Sequence, residues 1–199
     1  PTFRSLTVHY DPFATDGEAL GRKLLSLAES AGSAKSEGRH WQLQVCFDTD
    51  LAPDLERLAS AKNLDSGAII EMLTSTTFRV YMIGFMPGFP YMGGLPPELA
   101  MPRLASPRKA VPARSLAVTG EMCAVYPWES PGGWNLLGRT PVALFDAADE
   151  AAPALLESGD QVRWQPVSRA EYEHLEQELA GGRLSRSSFL VAPELPWPA

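Results

Sequence analysis

Arg103, Arg108 and Arg139 stand among Pro- and Gly-rich blocks in the middle of the chain. A guanidinium grips a carboxylate or phosphate through two parallel hydrogen bonds and stabilises negative charge as it develops. Arg103 and Arg108 lie beside Pro102 and Pro107 in a chain of formal net charge -7. An arbitrary pair of this kind is as readily solvated or salt-bridged, so both readings stand. In YPWESPGGW, from Tyr126 to Trp134, Glu129 and Ser130 precede Pro131-Gly132-Gly133. The exposed backbone N–H groups of such a turn can receive an anion, or the turn is an ordinary hairpin. Trp134 can supply a flat apolar wall, and Arg139 follows within the same hairpin.

The block GFMPGFPYMGGLPPEL, from Gly84 to Leu99, alternates flexible and stiff residues. Its glycines open backbone conformations closed to other residues, while Pro87, Pro90, Pro96 and Pro97 hold the chain between them. The expectation is a rigid, irregular loop that presents Phe85, Phe89 and Tyr91 outward as a ligand wall or partner surface; a loop packed on its own aromatics is the alternative. Gly84 to Arg108 and Tyr126 to Arg139 are expected to converge on one face. Phe85, Phe89, Tyr91 and Trp134 would then wall a cleft or meet a partner.

Several chemistries leave no trace. The sequence has no G-x-x-x-x-G-K-[ST] loop, no G-x-S-x-G elbow and no His-rich metal site. His9, His40 and His174 all fall outside the motif-rich loops. Cys46 and Cys123 are far apart, and two reduced core thiols are expected rather than a disulfide. A pI near 5.0 argues against nucleic acid, which demands clustered Lys and Arg. The apolar runs are too short to cross a bilayer and no signal segment opens the chain, so a cytoplasmic protein without a membrane partner is expected. The first residue is Pro, so the chain is expected to begin part-way through a longer gene product.

The elements that must position these groups read as follows. With 199 residues, 45% of them hydrophobic, the chain can bury a sizeable core. Phe3 to Tyr10 reads as a strand ended by Asp11-Pro12. Thr15 and Glu18 have capping-box spacing before a helix carrying Leu20, Leu24 and Leu27. Trp41, Leu43, Val45 and Phe47 alternate with polar residues or Cys46, which predicts a strand with one buried face. Two short helices follow around Leu51–Ala59 and Ile69–Leu73, then an extended segment from Phe78 to Phe85. Short strands are predicted at Leu116–Thr119, Cys123–Tyr126, Trp134–Leu137, Val142–Phe145 and Gln161–Trp164. Ser168 and Glu171 open a last helix that Gly181-Gly182 stops. The division is an α+β lobe over residues 1–76, a β-barrel lobe over 77–166, and a C-terminal helix and tail over 167–199.

The blocks above, with PRLASPR (Pro102 to Arg108), VPARS (Val111 to Ser115), LGRTP (Leu137 to Pro141) and SLTVHYDP (Ser5 to Pro12), occur in one order. In that order they resemble the family that holds the 5-oxoprolinase B subunit, KipI and allophanate hydrolase subunit 1. The resemblance implies a ferredoxin-like N-terminal lobe, here without the strand and helix that normally precede SLTVHYDP, and a cyclophilin-like β-barrel. It implies a non-autonomous subunit of an ATP-dependent 5-oxoprolinase that opens 5-oxoproline to glutamate. Its partners would be a large carboxyltransferase-like subunit and a LamB/YcsF-like subunit. Alternatives within the family are a KipI-type inhibitor that docks on a sensor histidine kinase, and an allophanate hydrolase or urea carboxylase subunit, for which biotin would be the cofactor. The family usually has His where Leu73 stands, an aromatic hydroxyl at Phe78 and Gly at Arg114. That His is absent here, which weakens the case for independent chemistry.

Overall fold

The computed structural model describes residues 2, 5–30 and 38–192. The chain forms two compact units, residues 1–37 and 38–199. The division expected at 76/77 falls within the second.

In the first unit, α1 spans Gly17–Ser30 and buries none of its residues. Its cap is Asp16 rather than the expected Thr15: the N–H groups of Glu18 and Ala19 each donate to the Asp16 carboxylate at 3.1 Å. The strand expected from Phe3 onward does not form over residues 5–10. Alternation of side chains specifies a strand only where a neighbouring strand takes up the backbone N–H and C=O groups, and these residues have no ladder partner among the described residues.

The second unit begins with β1 (His40–Val45), whose buried Trp41, Leu43 and Val45 follow the predicted alternation. Next come α2 (Leu55–Lys62) and α3 (Ser66–Ser75), separated by Asn63 in the left-handed conformation. Strands β2 (Phe78–Ile83), β3 (Pro90–Gly93), β4 (Arg108–Val111), β5 (Ser115–Thr119), β6 (Met122–Val125), β7 (Ser130–Gly132), β8 (Asn135–Arg139) and β9 (Gln161–Pro166) follow. Helix α4 (Arg169–Ala180) has Ser168 accepting from the Glu171 N–H, as the capping box predicts. Strand β10 (Leu190–Val191) is the last element among the described residues. Val142–Phe145, predicted as a strand, makes only one isolated bridge, Phe145 to Ala154.

Eight strands form one mixed sheet in the order β10-β1-β9-β2-β3-β6-β5-β8, and β4 pairs with β7 separately. The residue that follows β1 reaches the far edge: the Cys46 N–H donates to the Arg139 carbonyl at 2.9 Å, and the Arg139 N–H to the Cys46 carbonyl at 3.0 Å. Buried Asp160 fastens β1 to β9. Its carboxylate accepts from Trp41 Nε1 at 3.0 Å and from Arg39 Nη2 at 2.7 Å. This ion pair holds the Arg39 guanidinium above its usual pKa.

Successive residues of β5, β6 and β8 face two different cores. Leu116, Val118, Cys123, Val125 and Leu137 join the main core with Leu58, Ile69 and Leu73 of the helices. Ala117, Ala124 and Leu136 point the other way, into a smaller core with Phe89, Tyr126 and Trp134. Strands buried on both faces read as continuous apolar runs. The small Ala117 and Ala124 side chains leave that second face room for three large rings, and those rings floor the site described next. Cys46 and Cys123 are both buried free thiols.

Candidate functional site

The site grows from Phe89, which is 1% exposed. Its ring centroid lies 5.5 Å from Phe85, 5.0 Å from Tyr91, 5.2 Å from Tyr126 and 5.8 Å from Trp134, mostly edge to face. Such geometry adds to area burial because the positive ring edge meets the negative face. The expected outward presentation of all four aromatics is therefore corrected. Phe89 and Trp134 are core, Tyr91 is half-buried, and Phe85 alone, 68% exposed, stands out. The small Ala117 and Ala124 make room for the rings. Phe85 is also held at φ 70°, a left-handed conformation costly for a bulky residue.

Tyr126 lies beneath the Pro131-Gly132-Gly133 turn. Its hydroxyl accepts the backbone N–H of Trp134 and packs where a Gly132 Cβ would come within 2.3 Å, so only glycine fits. Burial pushes the phenol above its usual pKa, opposed by that N–H and by Arg103 and Arg108. Burial likewise raises Tyr91, opposed by Arg103. Both rings are consequently neutral, donating phenols near pH 7.

Arg103 rides on a loop held on both sides. The Asn135 side-chain amide donates to the Pro102 carbonyl at 3.0 Å, and the Leu104 N–H donates to the Gly133 carbonyl at 2.7 Å. Its guanidinium lies beside Gly133, whose Cβ, if present, would sit 3.6 Å from Arg103 Nε. The side chain is exposed, and no carboxylate lies within ion-pair distance of it among the described residues.

Arg108 is used differently. It donates to Asp54 Oδ1 at 2.8 Å, and Asp54 is 4% exposed. Arg139, four residues beyond Asn135 on β8, lies roughly 13 Å along that strand. Its guanidinium bonds the Tyr172 hydroxyl on α4 instead of turning to Arg103, and its Nε is buried without a hydrogen-bond partner among the described residues. Glu129 is exposed, while the Ser130 hydroxyl is buried without a partner among the described residues. Gly132 and Gly133 are buried against Tyr126 and the Arg103 loop. The two blocks thus converge, as Arg108 pairing with Gly132 across β4 and β7 also requires, but of the three arginines only Arg103 offers an uncommitted guanidinium at the convergence.

Asp54, Asn135 and Tyr126 are not singled out by sequence reasoning, yet they build the site. Asn135 carries one available signal: a lone amide in the apolar run WNLLG must find partners if it is buried. It finds the Pro102 and Val118 carbonyls, each at 3.0 Å, and accepts from Arg57. Leu73 and Phe78, where the resemblance leads one to expect a His and an aromatic hydroxyl, are both fully buried apolar residues. Among the described residues no group of three His, Cys, Asp or Glu is placed to hold a metal ion, and no helix is long and apolar enough to cross a membrane.

The sequence matches the family described as "Carboxyltransferase domain, subdomain C and D" over residues 1–156. It is 37% identical over 189 residues to the 5-oxoprolinase B subunit of Bacillus subtilis (strain 168), covering 89% of this chain and 78% of that relative. The crystal structure of PH0987 from Pyrococcus horikoshii superposes with a TM-score of 0.65 at 32% identity, over 82% of this chain and 74% of that one. The crystal structure of TTHA0988 gives a TM-score of 0.63 at 36% identity, over 80% of this chain, but the chain spans only 30% of that protein. On these grounds the chain belongs to the carboxyltransferase-domain family, subdomain C and D.

Proposed function

We propose that this chain is a subunit of an ATP-dependent 5-oxoprolinase, which opens the lactam of 5-oxoproline to glutamate. The observation that carries the reading is its likeness to the 5-oxoprolinase B subunit of Bacillus subtilis over most of both chains. Lactam opening is uphill, and phosphorylation of the amide oxygen by ATP before water attacks makes it feasible. Arg103, on the loop beside Gly133, is the group on this chain suited to meet a negative charge of the substrate. Arg108 and Arg139 instead hold the scaffold. In this reading ATP is bound at the level of the assembled complex.

The partners in this reading are a large carboxyltransferase-like subunit and a LamB/YcsF-like subunit, in the cytoplasm. Phe85 is the exposed aromatic anchor for the large subunit. Residues 77–166 are read as the cyclophilin-like barrel and the preceding segment as ferredoxin-like. The bridge between Cys46 and Arg139, which brings distant strands of the sheet together, supports a barrel.

The test is co-expression with the large subunit, co-purification, and assay of ATP hydrolysis with 5-oxoproline, urea and allophanate supplied separately. Stimulation by 5-oxoproline alone, with glutamate as product, is the expected result. Stimulation by urea or allophanate instead would overturn the reading.

A further inference from the structure

We propose that Arg103 and Tyr91 form a carboxylate-binding subsite, and that it seats the carboxylate of 5-oxoproline while the ring-lined wall beside it takes the lactam carbons. The inference rests on the function proposed above and specifies which part of the substrate this chain recognises.

Arg103 stands apart from most arginines of the molecule. Arg39, Arg57, Arg108, Arg114, Arg169 and Arg186 each bind a carboxylate of the same chain. The chain has 24 acidic residues against 17 basic ones, yet none of the described ones has been placed against Arg103. Its loop is nonetheless held in place, through the Asn135 amide on one side and the Gly133 carbonyl on the other. An uncompensated charge carried on a fixed loop is available to a ligand of opposite sign, and the ordering of that loop takes place on folding rather than on binding.

Tyr91 completes the recognition. Its ring packs on Trp134, and Gly133, the residue before Trp134, lies beside the Arg103 guanidinium, so the half-buried Tyr91 phenol stands on the same face as a hydrogen-bond donor. One guanidinium and one hydroxyl match a single carboxylate, the former by two parallel bonds. A triphosphate needs several cations and a metal ion, which this surface does not supply. The ring of Tyr91, 6.0 Å from that of Trp134, and the exposed Phe85 ring give the small saturated ring of a lactam an apolar surface.

The experiment uses the complex with its partner subunits. Equilibrium binding of 5-oxoproline by calorimetry is measured beside steady-state turnover of 5-oxoproline and of 2-pyrrolidinone, the same lactam without the carboxylate. Arg103→Ala should weaken 5-oxoproline binding and raise its KM by on the order of 10- to 100-fold, the loss expected for a charge-assisted hydrogen bond. It should also abolish the preference over 2-pyrrolidinone. Arg103→Lys should recover part of the loss, and Tyr91→Phe should cost roughly 5- to 10-fold. Thermal unfolding of Arg103→Ala should match the wild type, since no intrachain ion pair is broken.

Wild-type affinity and discrimination in Arg103→Ala would overturn the subsite, as would a change confined to the KM for ATP. A wild-type complex that binds 5-oxoproline without turning it over sinks the proposed function, while loss of that binding in Arg103→Ala sustains the subsite. A wild-type complex that does not bind the carboxylate ligand at all refutes both.

Discussion

Arg108 donates to Oδ1 of Asp54 at 2.8 Å, while Oδ2 of the same carboxylate accepts the backbone N–H of Leu136 at 2.7 Å. One buried carboxylate therefore ties the start of α2 to β4 and to the edge of β8, and it does so with an arginine that sequence alone offers as a ligand group. Replacing Asp54 by Ala leaves the partly buried Arg108 guanidinium with only the Trp134 carbonyl, at 3.4 Å, and takes the Asp54 acceptor from the Leu136 N–H. The expected cost is about 3 kcal/mol of folding stability, read by denaturant unfolding. A change below about 0.5 kcal/mol would show that the pair does not matter to the fold.

Phe85 and Phe89 touch, yet they should respond in opposite ways. Phe89→Ala opens a cavity beneath Tyr91, Tyr126 and Trp134 and should cost about 3–5 kcal/mol. Phe85→Ala should change stability by no more than about 0.5 kcal/mol while weakening association with the large subunit by roughly 1–3 kcal/mol. Thermal unfolding and partner titration of both variants check the pair of expectations.

Gly132→Ala drives a methyl group into the Tyr126 hydroxyl, with the ideal Cβ 2.3 Å from that oxygen. The expected destabilisation is about 1–3 kcal/mol. Adding Tyr126→Phe should restore part of it, because the nearest clashing atom is removed. A double variant no more stable than Gly132→Ala would mean that the ring carbons of residue 126, 2.8 Å from the ideal Cβ, rather than the hydroxyl, set the limit.

Tyr91, Tyr126 and Tyr172 are three of the five tyrosines, and burial raises the pKa of each. The folded state thus holds these protons at a pH where the unfolded chain releases them. Their contribution is fully present below the unfolded value near 10 and is lost as pH rises through the folded values. Absorbance titration should show three phenols ionising above pH 10 with stability falling over the same window. Tyr126→Phe should remove one of the three and lessen the fall. Ionisation of Tyr91, Tyr126 and Tyr172 at the ordinary phenol value would contradict the burial.

Much of the fold is legible where local pattern and tertiary structure agree. The alternation in β1 and the Ser168 cap of α4 can be read directly, and the convergence of the two loop blocks follows from their composition. Strands β3, β4 and β7 escape such a reading because Pro90 and Ser130-Pro131-Gly132 carry none of the usual strand signals, and their pairing is set by distant partners. The commitment of Arg108 is equally invisible. Asp54 lies 54 residues earlier in the chain, and no local spacing announces a long-range ion pair. Phe89 reads as a surface residue because the small residues that make room for it, Ala117 and Ala124, come from two later strands.

The most direct measurement of the central claim is subunit omission. Conversion of 5-oxoproline to glutamate is followed with ATP and the purified partner subunits, without this chain and then with it added back. The account predicts no product until this chain is present, and turnover that saturates as it is titrated in. Full activity of the partners alone, or none after its addition to a complex that forms, would contradict it.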